Sequence, residues 1–236
     1  ESLGIVTRNP HKLGDVIRMT DANAVLTTYY RNNVLHLFAM PSLIACAFIA
    51  NAEMRTEDIQ RLAWRIYPYI AAELFLKWRE TELPRVVIQT LAVLREHGVL
   101  QCNAEQTVWR RPPPASAGAM QLSLLAQLTL QFIERYYLAI ALLIEAGPGQ
   151  ITQRALAERC QLMAQRMTLL YGFNSPEFFD RALFENFIDL LRDRRAIRVG
   201  EGGKLDFDEV LEQVAQDAQI VLSEQIRHSI LQVTHD

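Results

Sequence analysis

The chain has 236 residues, half of them apolar, which is ample for a core in one large or two small domains. A net charge of −3 gives no general attraction to phosphodiester backbones, so a nucleic-acid role would need a local basic patch. Cys46, Cys102 and Cys160 are too few and too widely spaced to indicate a disulfide framework or a zinc site. No phosphate-binding loop, dinucleotide motif or nucleophile elbow occurs in the sequence, and we expect no cofactor and no metal. The sequence opens without a signal-peptide pattern, so cytoplasmic exposure is the expectation.

The first half is predicted to be helical after an opening β-hairpin formed by residues 4–8 and 15–19. Asp21 can cap a helix that should end near Pro41, with a second helix over residues 42–51. Thr56 is expected to cap the next long helix, which Pro68 should kink or split. The remaining predicted elements of the first half are a helix over 84–97, stopped by Gly98, and strands at 99–101 and 107–109.

The second half follows a Pro-rich segment whose three successive prolines, 112–114, cannot be helical. Its predicted elements are helices over 120–145, 152–170 and 176–194, a hairpin of 196–199 with 204–207, and one final helix from Asp208. Asn174 or Ser175 is expected to cap the third of these helices. The prediction is therefore a mainly α-helical assembly with short β-hairpins: a domain over 1–111, a linker over 112–118 and a domain over 119–236.

An internal repeat supports this modular organisation. Residues 94–100 and 191–197 align at seven consecutive positions, and both lie where a helix meets the first strand of a hairpin. Such helix-hairpin modules have winged-helix character, and the hairpin at 3–19 could belong to a third module whose helix would lie upstream.

The best candidate site is the polar cluster of Tyr30, Arg31, Asn32, Asn33 and His36. It lies one helical turn before a run of uncharged residues, 34–50. For this run a buried pair of core helices is favoured over an apolar face that docks on another domain or dips into a membrane, and that face is favoured over a membrane span. Arg31 and the amides could satisfy backbone groups or an acidic neighbour, or they could form a binding or domain-interface surface. His36 has no carboxylate one turn away, which indicates a hydrogen-bonded interior or interface residue rather than a catalyst.

The same region carries a family resemblance. Its segments are Ala24-Val25-Leu26, Tyr29-Tyr30-Arg31-Asn32-Asn33, Pro41-Ser42-Leu43-Ile44-Ala45, Tyr67-Pro68-Tyr69 and Ala72-Glu73-Leu74-Phe75-Leu76-Lys77-Trp78. Together they resemble the C-terminal region of bacterial glycerol-3-phosphate acyltransferases. The resemblance implies a parent enzyme that transfers an acyl group from an acyl thioester to glycerol 3-phosphate. In that family a His-x-x-x-x-Asp pair supplies the general base.

This chain lacks that pair. The residues five positions after its first four histidines are Val16, Pro41, Cys102 and Val233, and His235 lies one residue from the last position given. The resemblance therefore implies a non-catalytic C-terminal portion that packs against an N-terminal acyltransferase domain. It also implies peripheral association of the parent with the cytoplasmic face of the bacterial inner membrane. The polar cluster would face the absent domain, where Arg31 could hold an anionic headgroup.

The alternative function is a winged-helix interaction or DNA-binding regulatory module. Its phosphate contacts would come from Arg110 and Arg111 and from the group Arg192, Arg194, Arg195 and Arg198. Acidic residues at 189, 193, 201 and 206 interleave with the arginines of that group and nearly cancel their field, so we expect no nucleic-acid partner.

Overall fold

The computed structural model describes residues 4–171 and 179–235. In order, the elements are β1 (Val6–Asn9), β2 (Val16–Met19), α1 (Asp21–Ala50), β3 (Glu53–Arg55), α2 (Thr56–Leu74), α3 (Leu83–Glu96), β4 (Gln101–Cys102), β5 (Val108–Arg110), α4 (Ala117–Ala146), α5 (Gln153–Tyr171), α6 (Arg181–Asp193), β6 (Ile197–Val199), β7 (Leu205–Phe207), α7 (Glu209–Val221) and α8 (Glu224–His235). The predicted mainly α-helical class is confirmed. The chain divides into two compact units, one up to Phe38 and one from Ala39.

The unit up to Phe38 is built on an antiparallel hairpin whose register runs from Val6 opposite Met19 to Asn9 opposite Val16. Because opposed residues share a face, Val6, Ile17 and Met19 lie on one side of the hairpin together with Arg8. The start of α1 is tied to this hairpin through Asn23, whose side-chain amide donates to the carbonyl oxygens of Gly4 and Ile5.

Helix α1 runs unbroken through Pro41, so the prediction that proline would end it there was wrong. A proline inside a helix removes one backbone hydrogen bond. That cost is offset by burial, since nearly every residue from Ala39 to Phe48 is buried. Pro68 likewise lies inside α2 and does not split it.

The unit from Ala39 contains a three-stranded sheet in the order β3-β5-β4, of which the sequence predicted only the hairpin. Thr56 does not cap α2, because its hydroxyl instead donates to the carbonyl oxygen of Gln106 at 2.8 Å and accepts from the indole N–H of Trp109 at 2.9 Å. That pair of bonds attaches the start of α2 to the hairpin. Trp109 is consequently one of the most deeply buried side chains.

A second module repeats this arrangement. Strands β6 and β7 form a hairpin, and Thr152 bridges to Lys204 just as β3 pairs with β5. The backbone N–H of Leu205 also donates to the carbonyl oxygen of Ile151 at 2.8 Å. Residues 151–152 therefore hold the place in this module that β3 holds in the first.

Corresponding elements of the two modules are separated by nearly the same number of residues. Helices α1 and α4 both have 30 residues and begin 96 positions apart, and α2 and α5 both have 19 residues and begin 97 positions apart. The helix-hairpin junctions also share one geometry, with Gly98 at φ +69° in the first and Arg195 at φ +61° in the second. Equivalent backbone bonds close both junctions, from Val99 to Leu94 and from Ala196 to Leu191. The repeat that the sequence predicted at 94–100 and 191–197 is thus present in the backbone.

Two further helix boundaries differ from the predictions. The segment after β7 forms α7 and α8 rather than one helix, since Leu222 adopts an extended conformation with ψ 137°. Helix α7 begins at Glu209, one residue after the predicted start, and Asp208 caps it by accepting from the backbone N–H of Val210 at 3.1 Å. Helix α6 begins at Arg181 with Asp180 as its cap, and the predicted caps Asn174 and Ser175 lie outside the described residues.

Helix α4 is central to the packing of the unit from Ala39, because it contacts α5, α6, α7 and α8. The Pro-rich segment before α4 is non-helical, as predicted. Helix α2, which precedes that segment, packs on α6 and α7, which follow it. The predicted domain boundary at 112–118 stays a prediction.

Candidate docking surface and apolar cavity

The predicted polar cluster lies entirely on α1, within the unit that ends at Phe38. Tyr30 is 57% exposed, Asn33 and His36 are exposed, and Arg31 is half-buried. The side chain of Asn32 lies outside the described part of the structure. His36 is exposed in the described structure, and its role at an interface stays a prediction.

Apolar side chains surround this cluster on the same helix. Tyr29 meets Tyr30 edge to face, with ring centroids 5.9 Å apart. Further exposed apolar residues of α1 are Leu26, Val34, Leu37 and Phe38. Amphipathic aromatic rings beside amides and a guanidinium are typical of protein interfaces. We call the exposed residues between Leu26 and Phe38 the α1 surface.

The next part of α1 is as apolar as a membrane-spanning helix. By length and composition alone, the stretch Asn33–Ala50 could cross a bilayer, with a mean hydropathy of 1.8. However, 56% of it is buried within the protein, as in the core helix of a soluble protein. Ser42 lies inside this stretch and shares a 2.7 Å hydrogen bond with Thr129 of α4. Burial also raises the pKa of the Cys46 thiol to about 12, which makes Cys46 a packing residue rather than a nucleophile.

The unit from Ala39 contains a cavity of about 280 Å³, partly open to solvent, among α2, α4, α6 and α7. Its apolar lining residues are Trp64, Ile66, Tyr69, Ile133, Tyr136, Ile140, Phe187, Val210, Val214 and Ala218. Two ion pairs lie at the cavity, Arg65 with Asp217 at 2.5 Å and Arg194 with Glu80 at 2.6 Å. Among the described residues that line it there is no histidine, cysteine or serine, and its two carboxylates, Glu80 and Asp217, are each paired with an arginine.

An aromatic cluster forms one wall of this cavity. Tyr136 and Phe187 stack with ring centroids 4.2 Å apart, and Tyr69 lies 5.9 Å from Phe187. The guanidinium of Arg194 lies over the ring of Tyr69 at 5.5 Å. Burial raises the pKa of Tyr69, while Arg194 opposes that shift. These phenols therefore stay neutral at physiological pH and act in packing and hydrogen bonding.

A buried ion pair lies behind the aromatic wall. Arg135 is only 2% exposed and pairs with Glu73, which also accepts a 2.6 Å hydrogen bond from the hydroxyl of Tyr136. Burial raises the pKa of Tyr136 well above its ordinary value, and the negative charge of Glu73 adds to the shift. This network joins α2 to α4. Sequence reasoning missed it, although two charges inside an apolar helix were a usable signal.

Three of the arginines that would have served DNA binding are paired locally with carboxylates. Arg192 pairs with Asp189, Arg194 with Glu80, and Arg198 with Asp206 and Asp208. Cations already paired with carboxylates attract phosphates weakly. The winged-helix regulatory alternative therefore gains no support from this surface.

These features define a modular, mainly α-helical protein with a half-polar exposed helix and an apolar cavity. Residues 1–200 match the family model described as glycerol-3-phosphate acyltransferase C-terminal region. The chain is 44% identical over 234 residues to the glycerol-3-phosphate acyltransferase of Pseudomonas aeruginosa (strain UCBPP-PA14), covering 99% of this chain and 28% of that protein. It is 42% identical over 234 residues to the glycerol-3-phosphate acyltransferase of Pseudomonas syringae pv. tomato, with the same coverage.

The chain therefore belongs to the glycerol-3-phosphate acyltransferase family, whose C-terminal region it represents. This confirms the resemblance found in the sequence. The chain spans 28% of the length of these relatives.

Proposed function

We propose that this chain is the non-catalytic portion of an enzyme that transfers an acyl group from an acyl thioester to glycerol 3-phosphate. The observation that carries the proposal is the absence from the sequence of any histidine followed five residues later by aspartate. Deprotonation of the glycerol hydroxyl needs a positioned base, and the cavity lining offers no histidine to act as one. The chain's task is to pack against the N-terminal acyltransferase domain of its parent and support it.

The α1 surface is the proposed contact with that domain. It combines the described side chains of the polar cluster, Tyr30, Arg31, Asn33 and His36, with exposed apolar side chains. The planar guanidinium of Arg31 presents several N–H donors, which suit a carboxylate or a phosphate on the opposing surface. The parent's substrates partition between water and lipid, so we also propose that the parent is a peripheral protein at the cytoplasmic face of the inner membrane.

The isolated chain should show no acyltransferase activity. Purified protein is incubated with glycerol 3-phosphate and a labelled acyl thioester, and acylated product is counted against a buffer blank. The full-length parent, prepared in the same way, is the positive control. Turnover by the isolated chain above the blank would contradict the proposal, because the chain would then have to hold a base of its own.

In the full-length enzyme, Arg31→Ala should lower activity beyond its effect on thermal stability. The reason is the loss of a charge-assisted hydrogen bond across the interface, which is worth roughly 1.5–3 kcal/mol, or about 10- to 150-fold in a rate or binding constant. Both kinetic constants and the melting temperature are measured on the same preparations.

Arg61→Ala is the matched control, since Arg61 is also a helical arginine and pairs locally with Asp58 at 3.1 Å. It should leave both kinetic constants unchanged. If Arg31→Ala lowers the melting temperature and the folded enzyme keeps wild-type constants, Arg31 has a local structural role and the α1 surface is not a functional interface.

A further inference from the structure

We propose that the hairpin β1–β2 closes a third copy of the helix-hairpin module, whose other elements lie immediately before it in the parent chain. The apolar face of this hairpin and the outer edge of β2 would then dock a strand-helix-helix segment of the same polypeptide. This inference builds on the proposed function, because it specifies which part of the parent covers this end of the chain.

The first step is the spacing of hairpins along the sequence. Strand β1 begins at Val6, 95 positions before β4, and β4 begins at Gln101, 96 positions before β6. Each hairpin is followed by a long helical segment, which is α1, α4 or the pair α7 and α8. The hairpin β1–β2 therefore holds the same place in the order of elements as the two hairpins that end complete modules.

The second step compares how the hairpins are covered. In the complete modules the key hairpin side chains are buried, Trp109 at 2% exposure and Leu205 at 1%. On β1–β2 the equivalent apolar face is open, with Ile17 64% exposed and Met19 40% exposed. Apolar side chains of this size are more favourable when they are removed from water, so a covering element would stabilise the module.

The third step concerns the edge of the sheet. Strand β5 pairs with β3 on its outer edge, and β7 receives residues 151–152 in the same position. Among the described residues β2 pairs with β1 alone. One more short strand would complete this open edge, and the repeat identifies it as the counterpart of β3 and of residues 151–152.

The fourth step identifies the occupant. In the first module the edge strand, a 19-residue helix and a 14-residue helix all lie between Glu53 and the start of the hairpin at Gln101, 48 positions later. The occupant of β1–β2 is accordingly the stretch of about 50 residues that precedes the hairpin in the parent chain. The relatives are long enough to supply it, since this chain covers 28% of their length.

The test places the photo-crosslinking residue p-benzoylphenylalanine at position 17 of the full-length protein and maps the crosslinked peptides by mass spectrometry. The expected partner peptide lies within about 50 residues before Gly4. Position 16 is the matched control, because Val16 lies on the opposite face of the same strand and should give little of this product. A crosslink from position 17 to a distant part of the parent would overturn this inference while leaving the proposed docking function intact.

A smaller probe covers the case in which the bulky residue prevents folding. Ile17→Cys and Val16→Cys are labelled with a maleimide in the native full-length protein, and the extent at each position is read from peptide masses. We expect Ile17→Cys to react at least tenfold more slowly than Val16→Cys, with equal reaction after denaturation. Equal native rates would mean that the apolar face stays open, and the inference would fail.

Discussion

Replacing Glu73 with leucine should lower the free energy of unfolding by about 3–5 kcal/mol, the usual cost of leaving a buried charge without its partner. Arg135 is almost fully buried in α4, and Glu73 is the carboxylate that pairs with it. The variant therefore leaves the guanidinium of Arg135 buried without its carboxylate. The measurement is guanidinium or urea unfolding of the purified chain, followed by circular dichroism.

Two further variants separate the charge effect from simple loss of packing. The double variant Glu73→Leu with Arg135→Met removes both charges and should recover most of the stability, as buried pairs replaced by apolar residues often do. Tyr136→Phe keeps both charges and removes the hydroxyl, which lies 2.6 Å from the Glu73 carboxylate and 3.4 Å from the carbonyl oxygen of Tyr69, and it should cost about 1 kcal/mol. A double variant as unstable as Glu73→Leu alone would show that volume, rather than charge, sets the stability here.

The helices and hairpins were predictable because their signals are local. Alternating residues around Asn9-Pro10-His11 predicted β1–β2, and helical spacing with Gly98 as a stop predicted α3 to within one residue at each end. Strand β3 was missed because three residues carry no periodicity of their own, and its partner β5 lies more than 50 positions away. Pro41 misled the prediction because burial across a long helix outweighed the loss of one hydrogen bond.

The candidate site likewise has one part that the sequence predicted and other parts that it did not. The α1 cluster was visible as a polarity step along one helix, and the structure shows Tyr30, Asn33 and His36 exposed on that helix. The cavity was not visible, since Trp64, Tyr136, Phe187 and Val214 come from four helices that meet only in the fold. The pair of Glu73 with Arg135 also joins residues 62 positions apart. Such non-local arrangements cannot be derived from spacing along a single element.

Glu134, the second buried ionisable residue of α4, should make the free energy of unfolding fall as the pH rises. Burial raises the pKa of Glu134 to about 7, and no cation pairs with its carboxyl among the described residues. An ordinary glutamate titrates near pH 4.3, so the unfolded chain releases this proton well before the folded chain does. The stabilising effect of the neutral acid is complete below about pH 4 and is lost as the pH rises through 7.

Glu134→Gln removes this titration and should raise the free energy of unfolding at pH 8 by about 3 kcal/mol, with a much smaller change at pH 5. Glutamine keeps the shape of the side chain but carries no charge to desolvate. Unfolding is measured in denaturant at pH 5, 6, 7 and 8 for wild type, Glu134→Gln and the control Glu96→Gln, whose side chain is exposed at the end of α3. The control should follow the wild-type pH profile. If Glu134→Gln follows that profile too, or is less stable than wild type at pH 8, then Glu134 is ionised and favourably solvated in the folded protein. The stability difference between Glu134→Gln and wild type is larger at pH 8 than at pH 5 if the carboxylate is buried. That increase measures the free-energy cost of burying the charged carboxylate.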